Sequence, residues 1–301
     1  MKKRIVILGT NGFIGNWLLK RFSSDQQFSV TGFNAQECNL LSPASTKDAL
    51  SDLNRNDILI MAAAITRLKD NSLEAMMKNI QMVENLIRVI SERPVHQFIY
   101  LSSVDVYGCL ERKFIKKNQR ITEQFELKPD DYYGVGKVAC EFLLRNQLGD
   151  KKIALSILRL PGVFGPGDET KSLIGRFIQS ITEEGKVCIY DNGEDRRDYL
   201  YIEDVYTTVR KCIEHRLNDI VNVVSGKNYS IREIVDLIKK TLDSSCQVEF
   251  KEAIDHENER IKNMQFDPEH LLAVLPDLKI HDLFWGIKCY WGQWEYSKVN
   301  E

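Results

Sequence analysis

Short apolar runs alternate with longer amphipathic stretches through the first half of the chain. Arg4-Ile-Val-Ile-Leu8, Phe28-Ser-Val-Thr-Gly-Phe33, Asp57-Ile-Leu-Ile-Met61, Gln97-Phe-Ile-Tyr-Leu101 and Ile153-Ala-Leu-Ser-Ile-Leu158 have the length and β-branched content of buried strands. Residues 16–21, 46–53, 73–91 and 133–147 read as the intervening helices. In the third of these, Met76, Ile80, Val83, Leu86, Ile87 and Ile90 recur at helical spacing. Strands alternating with helices predict an α/β fold: a doubly wound parallel sheet with crossover helices on both faces. Ligands of such sheets bind outside the carboxyl ends of the strands.

The regularity breaks after Arg159. Pro161-Gly-Val-Phe-Gly-Pro-Gly167 is turn-rich, Val221-Asn-Val-Val-Ser225 reads as a strand returning to the sheet, and Ser230-Ile-Arg-Glu233 has the spacing of a capping box opening a helix through Lys240. The expected division is a dinucleotide-binding domain over residues 1–160 and about 200–225. A smaller α/β C-terminal substrate lobe then takes 161–199 and 226–301.

Composition narrows the function by exclusion. Over 301 residues the net charge is −2, so no basic excess supports nucleic-acid binding. The seven cysteines, at 38, 109, 140, 188, 212, 246 and 289, form no Cys-x-x-Cys pair, which argues against structural metal and fits a reducing compartment. No apolar run approaches the roughly 18 residues of a membrane span. The expectation is a soluble cytoplasmic protein with no membrane partner.

Two motifs carry chemistry. Gly9-Thr-Asn-Gly12-Phe-Ile-Gly15 follows the first strand directly and precedes a helix. Gly9 permits the tight turn, Gly12 lets backbone approach a pyrophosphate, and Gly15 lets helix pack on strand. This is the strand–turn–helix setting of a Rossmann-type dinucleotide site, with the helix N-terminus facing the phosphates. At the far end of the domain, Tyr133 and Lys137 stand four apart in Asp131-Tyr-Tyr-Gly-Val-Gly-Lys137, on one helix face. An ammonium one turn from a phenol favours the phenolate and draws its pKa toward the working range.

In this order, the glycine turn, Leu101-Ser-Ser-Val-Asp-Val-Tyr-Gly108, Tyr133-x-x-x-Lys137, Leu158-Arg-Leu-Pro-Gly-Val-Phe-Gly-Pro-Gly167 and Arg196-Arg-Asp-Tyr-Leu-Tyr-Ile-Glu-Asp-Val205 resemble the extended short-chain dehydrogenase/reductase family of nucleotide-sugar epimerases, dehydratases and 4-keto reductases. The resemblance implies that Tyr133 exchanges a proton with a sugar hydroxyl while hydride moves to or from a nicotinamide. It implies that Lys137 holds the ribose and that Ser103 hydrogen-bonds the reacting oxygen. Asn11, Phe13 and Ile14 in the glycine turn, Asn39 and Leu40, Ala63 and Ala64, and Asn79 are implied cofactor contacts. Arg197 and, less directly, Arg260 are implied partners of the substrate diphosphate.

Departures from the pattern carry information. Asn34 ends the second strand where NAD users carry Asp, which removes a carboxylate that repels a 2′-phosphate. With no basic residue following, the cofactor is NAD(P) with a lean to NADP(H). Val104-Asp105 stands where 4,6-dehydratases place an Asp-Glu pair, so dehydration is disfavoured. Asp105 either assists proton transfer at a ring carbon or hydrogen-bonds the substrate. Gly162 replaces an Asn common in epimerases. The implied function is an NAD(P)-dependent oxidoreductase acting at C4 of a nucleotide sugar, as a 4-keto sugar reductase. The alternatives are a 4-epimerase and, behind it, a 4,6-dehydratase or a non-catalytic cofactor sensor. Helices 73–91 and 133–147 resemble those through which the family forms homodimers, with Met76, Met77, Ile80 and Val83 as either that face or core. The basic run Glu111–Arg120 reads as a surface loop near the site.

Overall fold

The computed structural model describes residues 2–108, 120–149, 152–168, 172–190, 192–252 and 264–299, with side chains to 293. Its first elements are β1 (Lys3–Leu8), α1 (Phe13–Ser24), β2 (Phe28–Phe33), α2 (Pro43–Ala49), β3 (Ile58–Met61), α3 (Leu73–Glu92), β4 (Gln97–Ser103), a 3-10 turn (Val104–Tyr107), α4 (Tyr132–Leu148) and β5 (Ala154–Leu160). They continue with β6 (Gly162–Phe164), α5 (Leu173–Glu184), β7 (Lys186–Tyr190), β8 (Arg196–Arg197), β9 (Tyr199–Tyr201), α6 (Ile202–Glu214) and β10 (Asp219–Asn222). The last are β11 (Tyr229–Ser230), α7 (Ile231–Thr241), β12 (Gln247–Lys251), α8 (Glu269–Val274) and α9 (Leu283–Val299).

Six strands form the parallel sheet in the order β2-β1-β3-β4-β5-β10, as the strand–helix alternation predicts. The pairing aligns Leu8 with Phe33 and with Met61, and Ser103 with Leu160. The glycine turn, Asn34, the Ala62–Ala64 segment, Ser103 and Pro161 therefore leave the sheet along one edge. Strand order reverses at β1, which has β2 on one side and β3 on the other, and a crevice opens at such a switch point.

Side-chain alternation distributes the core. Ile5 and Ile7 of β1 face Leu18 and Phe22 of α1 and Val209 and Cys212 of α6, whereas Val6 and Leu8 face Val83 and Leu86 of α3 and Cys140 and Leu144 of α4. Burying each large aliphatic side chain contributes about 1.5–3 kcal/mol, so a strand buried on both faces reads as a continuous apolar run. A third apolar cluster joins Phe164, Ile178, Ile234, Ile238, Ile287 and Tyr290 from β6, α5, α7 and α9. Between α7 and α9 the chain returns to the sheet, where Leu271 and Leu275 join the cluster that holds Ile5 and Ile7.

Helix ends follow their caps. The helix expected over 46–53 begins at Pro43 instead, because Ser42 Oγ accepts the Ser45 N–H and proline suits the first helical position. The capping box at Ser230 forms as expected, with Ser230 Oγ accepting the Glu233 N–H and Glu233 accepting the Ser230 N–H. No helix among the described residues is long and apolar enough to cross a membrane. Arg260 and the run 111–119 lie outside the described residues, while Arg120 is exposed.

Candidate active site

The glycine turn is built for close approach. Gly9 has φ +92°, and a Cβ there would lie 2.6 Å from the Ala63 nitrogen. A Cβ on Gly15 would lie 2.2 Å from the Gly9 carbonyl oxygen. The Gly9 and Thr10 N–H groups both donate to the Phe33 carbonyl, which ties the turn to the end of β2. Gly12 caps α1 without a side chain, no acidic residue stands in the first turn, and Phe13 and Ile14 open the helix. An anion-accepting helix end beside small residues suits a dinucleotide pyrophosphate. The residues present fit a nicotinamide dinucleotide, with Gly9, Asn11, Gly12, Phe13, Ile14 and Gly15 as the cradle.

Asn79 is buried in α3, and its amide accepts the Ile65 N–H at 2.8 Å and donates to the Ile65 carbonyl at 2.9 Å. It therefore fixes the course of the loop that carries Ala63 and Ala64. Asn34 Oδ1 accepts the Gln36 and Glu37 N–H groups, and Glu37 Oε2 accepts the Asn34 N–H at 2.9 Å. A carboxylate thus stands at the exit of β2, supplied by Glu37 three residues after the position where NAD users carry Asp. Asn39 Oδ1 accepts the Leu41 N–H, while Leu40 is buried with its carbonyl accepting from Asn85.

Ser103 ends β4, and Tyr133 and Lys137 lie in the first turns of α4, which starts at N-cap Asp131. Two glycines bring that helix in close. A Cβ on Gly134 would lie 2.5 Å from the Asp105 carbonyl oxygen, and one on Gly136 would lie 3.1 Å from Met76. Each helical glycine costs roughly 1 kcal/mol relative to alanine, which the close packing offsets.

Lys137 Nζ donates to the Leu101 carbonyl at 2.6 Å and sits 5.5 Å from the centroid of the Tyr133 ring. Burial draws the Lys137 pKa down to about 8. Burial pushes the Tyr133 phenol well above its usual range; Asp105 adds to this, and Arg67 pulls the other way. Lysine does not win over desolvation here, and the Tyr133 phenol is held protonated in the neutral range.

Asp105 links these groups. Its Oδ2 accepts from Ser103 Oγ at 3.0 Å, and its Oδ1 accepts from Arg67 Nη1 at 3.3 Å. Arg67 was not among the residues the sequence singled out, since a lone arginine in a polar loop carries no pattern. Directly behind lies a buried network. Arg159 pairs with Glu141 at 2.6 Å, Ser102 Oγ donates to Glu141, and Arg159 also reaches the Tyr107 hydroxyl, which donates to Asn222. Glu141 is four residues after Lys137 on α4.

Arg197 lies on β8, with Asp195 3.6 Å away and its Nε buried without a partner among the described residues. Burial raises the Tyr199 phenol, against the pull of Arg197, which hydrogen-bonds it, and of Arg67 and Arg176 nearby. A Cβ on Gly162 would lie 2.8 Å from the Tyr199 ring, so Tyr199 fills the space a longer side chain there would take.

A doubly wound sheet with a glycine cradle at its switch point and a Ser–Tyr–Lys group across the same edge defines an extended short-chain dehydrogenase/reductase. The chain belongs to the NAD dependent epimerase/dehydratase family, whose profile matches residues 5–224. It is 26% identical over 283 residues to a GDP-6-deoxy-D-talose 4-dehydrogenase from Aggregatibacter actinomycetemcomitans, covering 90% of this chain and 91% of the relative. Among solved structures it resembles RMD from Pseudomonas aeruginosa complexed with NADPH, with TM-score 0.84, 20% identity and coverage of 98% and 100% of the two chains. It also resembles the UDP-glucose 4-epimerase of Thermotoga maritima with UDP-glucose, with TM-score 0.85, 19% identity and coverage of 98% and 99%.

Proposed function

We propose that this chain is an NAD(P)-dependent oxidoreductase that interconverts ketone and alcohol at C4 of a nucleotide-activated sugar, acting as a 4-keto sugar reductase. The observation that carries this reading is the half-buried Tyr133 phenol beside Lys137 at the sheet edge that also bears the glycine cradle. Reduction requires a proton for the C4 oxygen, and Tyr133 donates it. The dinucleotide, when bound, supplies the hydride. In this reading Lys137 engages the nicotinamide ribose and stabilises the phenolate left behind. Arg197, with an unpaired N–H, is the proposed diphosphate partner, and Arg260 is kept in the same role from its motif alone. Val104 supplies no carboxyl to expel a hydroxyl, which weighs against a 4,6-dehydratase. An intact Ser103–Tyr133–Lys137 group weighs against a sensor.

A 4-epimerase is the second reading, and one observation favours it. Ser103 directs its proton to Asp105, an arrangement that suits a sugar hydroxyl rather than a ketone. For the cofactor, the absence of Asp at position 34 leans to NADP(H), but Glu37 at the same exit weighs toward NAD(H), because its carboxylate repels a 2′-phosphate. We expect NADH to bind at least about tenfold more tightly than NADPH, which is one charge contact of about 1.4 kcal/mol. The deciding assay incubates the purified enzyme with GDP-, dTDP- and UDP-linked 6-deoxyhexoses and their 4-keto forms. Stoichiometric oxidation of NADH by a 4-keto sugar is expected. Tightly held NAD with C4 inversion and no net cofactor consumption would select the epimerase.

We also propose a homodimer through α3 and α4. Val83 is core, whereas Met77 on α3 and Val135 and Phe142 on α4 are exposed at 54%, 41% and 65%. Sedimentation of the wild type should give twice the chain mass, and Phe142→Glu should give the single-chain mass. A wild-type monomer at micromolar concentration refutes the assignment.

A further inference from the structure

This inference rests on the C4 oxidoreductase reading and concerns the hydrogen-bonding polarity of Ser103. A serine hydroxyl has one proton to give, while a carboxylate only accepts. Ser103 Oγ donates to Asp105 Oδ2 at 3.0 Å and accepts the Asp105 backbone N–H at 3.1 Å. Its proton is committed, and one lone pair remains. The second carboxylate oxygen, Oδ1, is held by Arg67 Nη1 at 3.3 Å. Arg67 comes from the loop that Asn79 fixes through both hydrogen bonds to Ile65. Three elements thus converge on the serine: the end of β4, the 3-10 turn after it and the loop after β3.

We propose that Arg67 and Asp105 are positioning residues that set Ser103 to accept rather than donate. The site therefore binds the C4 alcohol in preference to the C4 ketone and leaves Tyr133 as the donor to the ketone oxygen. An alcohol O–H donates to the remaining lone pair of Ser103, whereas a carbonyl oxygen meets a second acceptor there. The same pair accounts for the position of Asp105 two residues after Ser103: its carboxylate shapes the serine and is not spent on a ring carbon.

Asp105→Asn inverts the polarity at nearly constant shape. Arg67 only donates, so it takes the amide oxygen, and the amide NH₂ then faces Ser103. Ser103 must accept from that group, and its own proton is released to the substrate. The overall equilibrium fixes the ratio of kcat/KM in the two directions, so turnover ratios cannot report this change. Binding in non-reacting complexes can.

The experiment measures the Kd of GDP-6-deoxy-D-talose with NADH, and of its 4-keto form with NAD, by calorimetry. In the wild type the alcohol binds more tightly. In Asp105→Asn the ratio of the two constants moves toward the ketone by about tenfold or more, the effect of one hydrogen bond gained and one lost. Arg67→Lys keeps most of the wild-type ratio and Arg67→Gln loses it. An unchanged ratio in Asp105→Asn, or equal weakening of both ligands, overturns the assignment while the wild type still turns over the pair. A wild type that turns over neither form, nor the dTDP- and UDP-linked counterparts, overturns the C4 reading itself and this inference with it.

Discussion

Tyr133→Phe lowers kcat for the proposed C4 reaction by about a thousandfold, within the range of general acid–base catalysis, and leaves the Kd for the dinucleotide within about twofold of wild type. The ring stays, so its 5.5 Å approach to Lys137 Nζ is retained. Only the hydroxyl is lost, and with it the proton for the C4 oxygen. Burial and the Asp105 charge both hold that proton on the phenol. The alkaline side of the pH profile follows Lys137, whose pKa is drawn down to about 8 by burial. As pH rises through that value the ammonium loses its charge, the phenolate formed in reduction loses its stabilising partner, and wild-type kcat falls. Stopped-flow reduction followed at the nicotinamide absorbance measures both quantities. Activity within tenfold of wild type in Tyr133→Phe would remove Tyr133 from the proton path.

The pattern of apolar positions was enough to place the sheet and its cradle, because a strand buried on both faces and a glycine turn between strand and helix are local in sequence. Gly9 and Gly15 were singled out for that reason, Tyr133 and Lys137 by their spacing of four on a helix, and Ser103 only through the resemblance of its motif. Arg67, Glu37 and Arg159 were not. Glu37 reaches the end of β2 only because the chain turns back at Asn34, and Arg67 meets Asp105 only through the β3–β4 pairing that brings their loops together. Such partners are set by sheet order, which a linear reading does not contain. Asn79 is an intermediate case. Its position in α3 was noted, but its amide pairs with backbone and orders the loop after β3.

Glu141→Gln destabilises the fold by about 3–5 kcal/mol, the usual cost of leaving one member of a buried ion pair alone. Glu141 and Arg159 are both close to fully buried and meet in a two-pronged contact, with Arg159 Nε and Nη2 directed to the carboxylate. Removing the Glu141 charge leaves the Arg159 guanidinium with neutral partners, the glutamine amide oxygen, the Tyr107 hydroxyl and the Glu123 carbonyl. At this chain length the loss lowers Tm by roughly 5–10 °C. Arg159→Met costs a similar amount, because Glu141 then faces only Ser102 Oγ. Glu141→Leu combined with Arg159→Met recovers part of the loss, since no charge is left buried. Recovery is incomplete because Ser102 and Tyr107 each lose a partner. The pair also binds α4 to β5 one turn beyond Lys137, so in the single variants the surviving folded enzyme shows reduced kcat with little change in dinucleotide Kd. Thermal unfolding of the wild type, Glu141→Leu, Arg159→Met and their double variant closes the cycle and gives the coupling directly. Single variants that melt within 2 °C of wild type would show that the pair is neutral and that α4 is held by its apolar contacts alone.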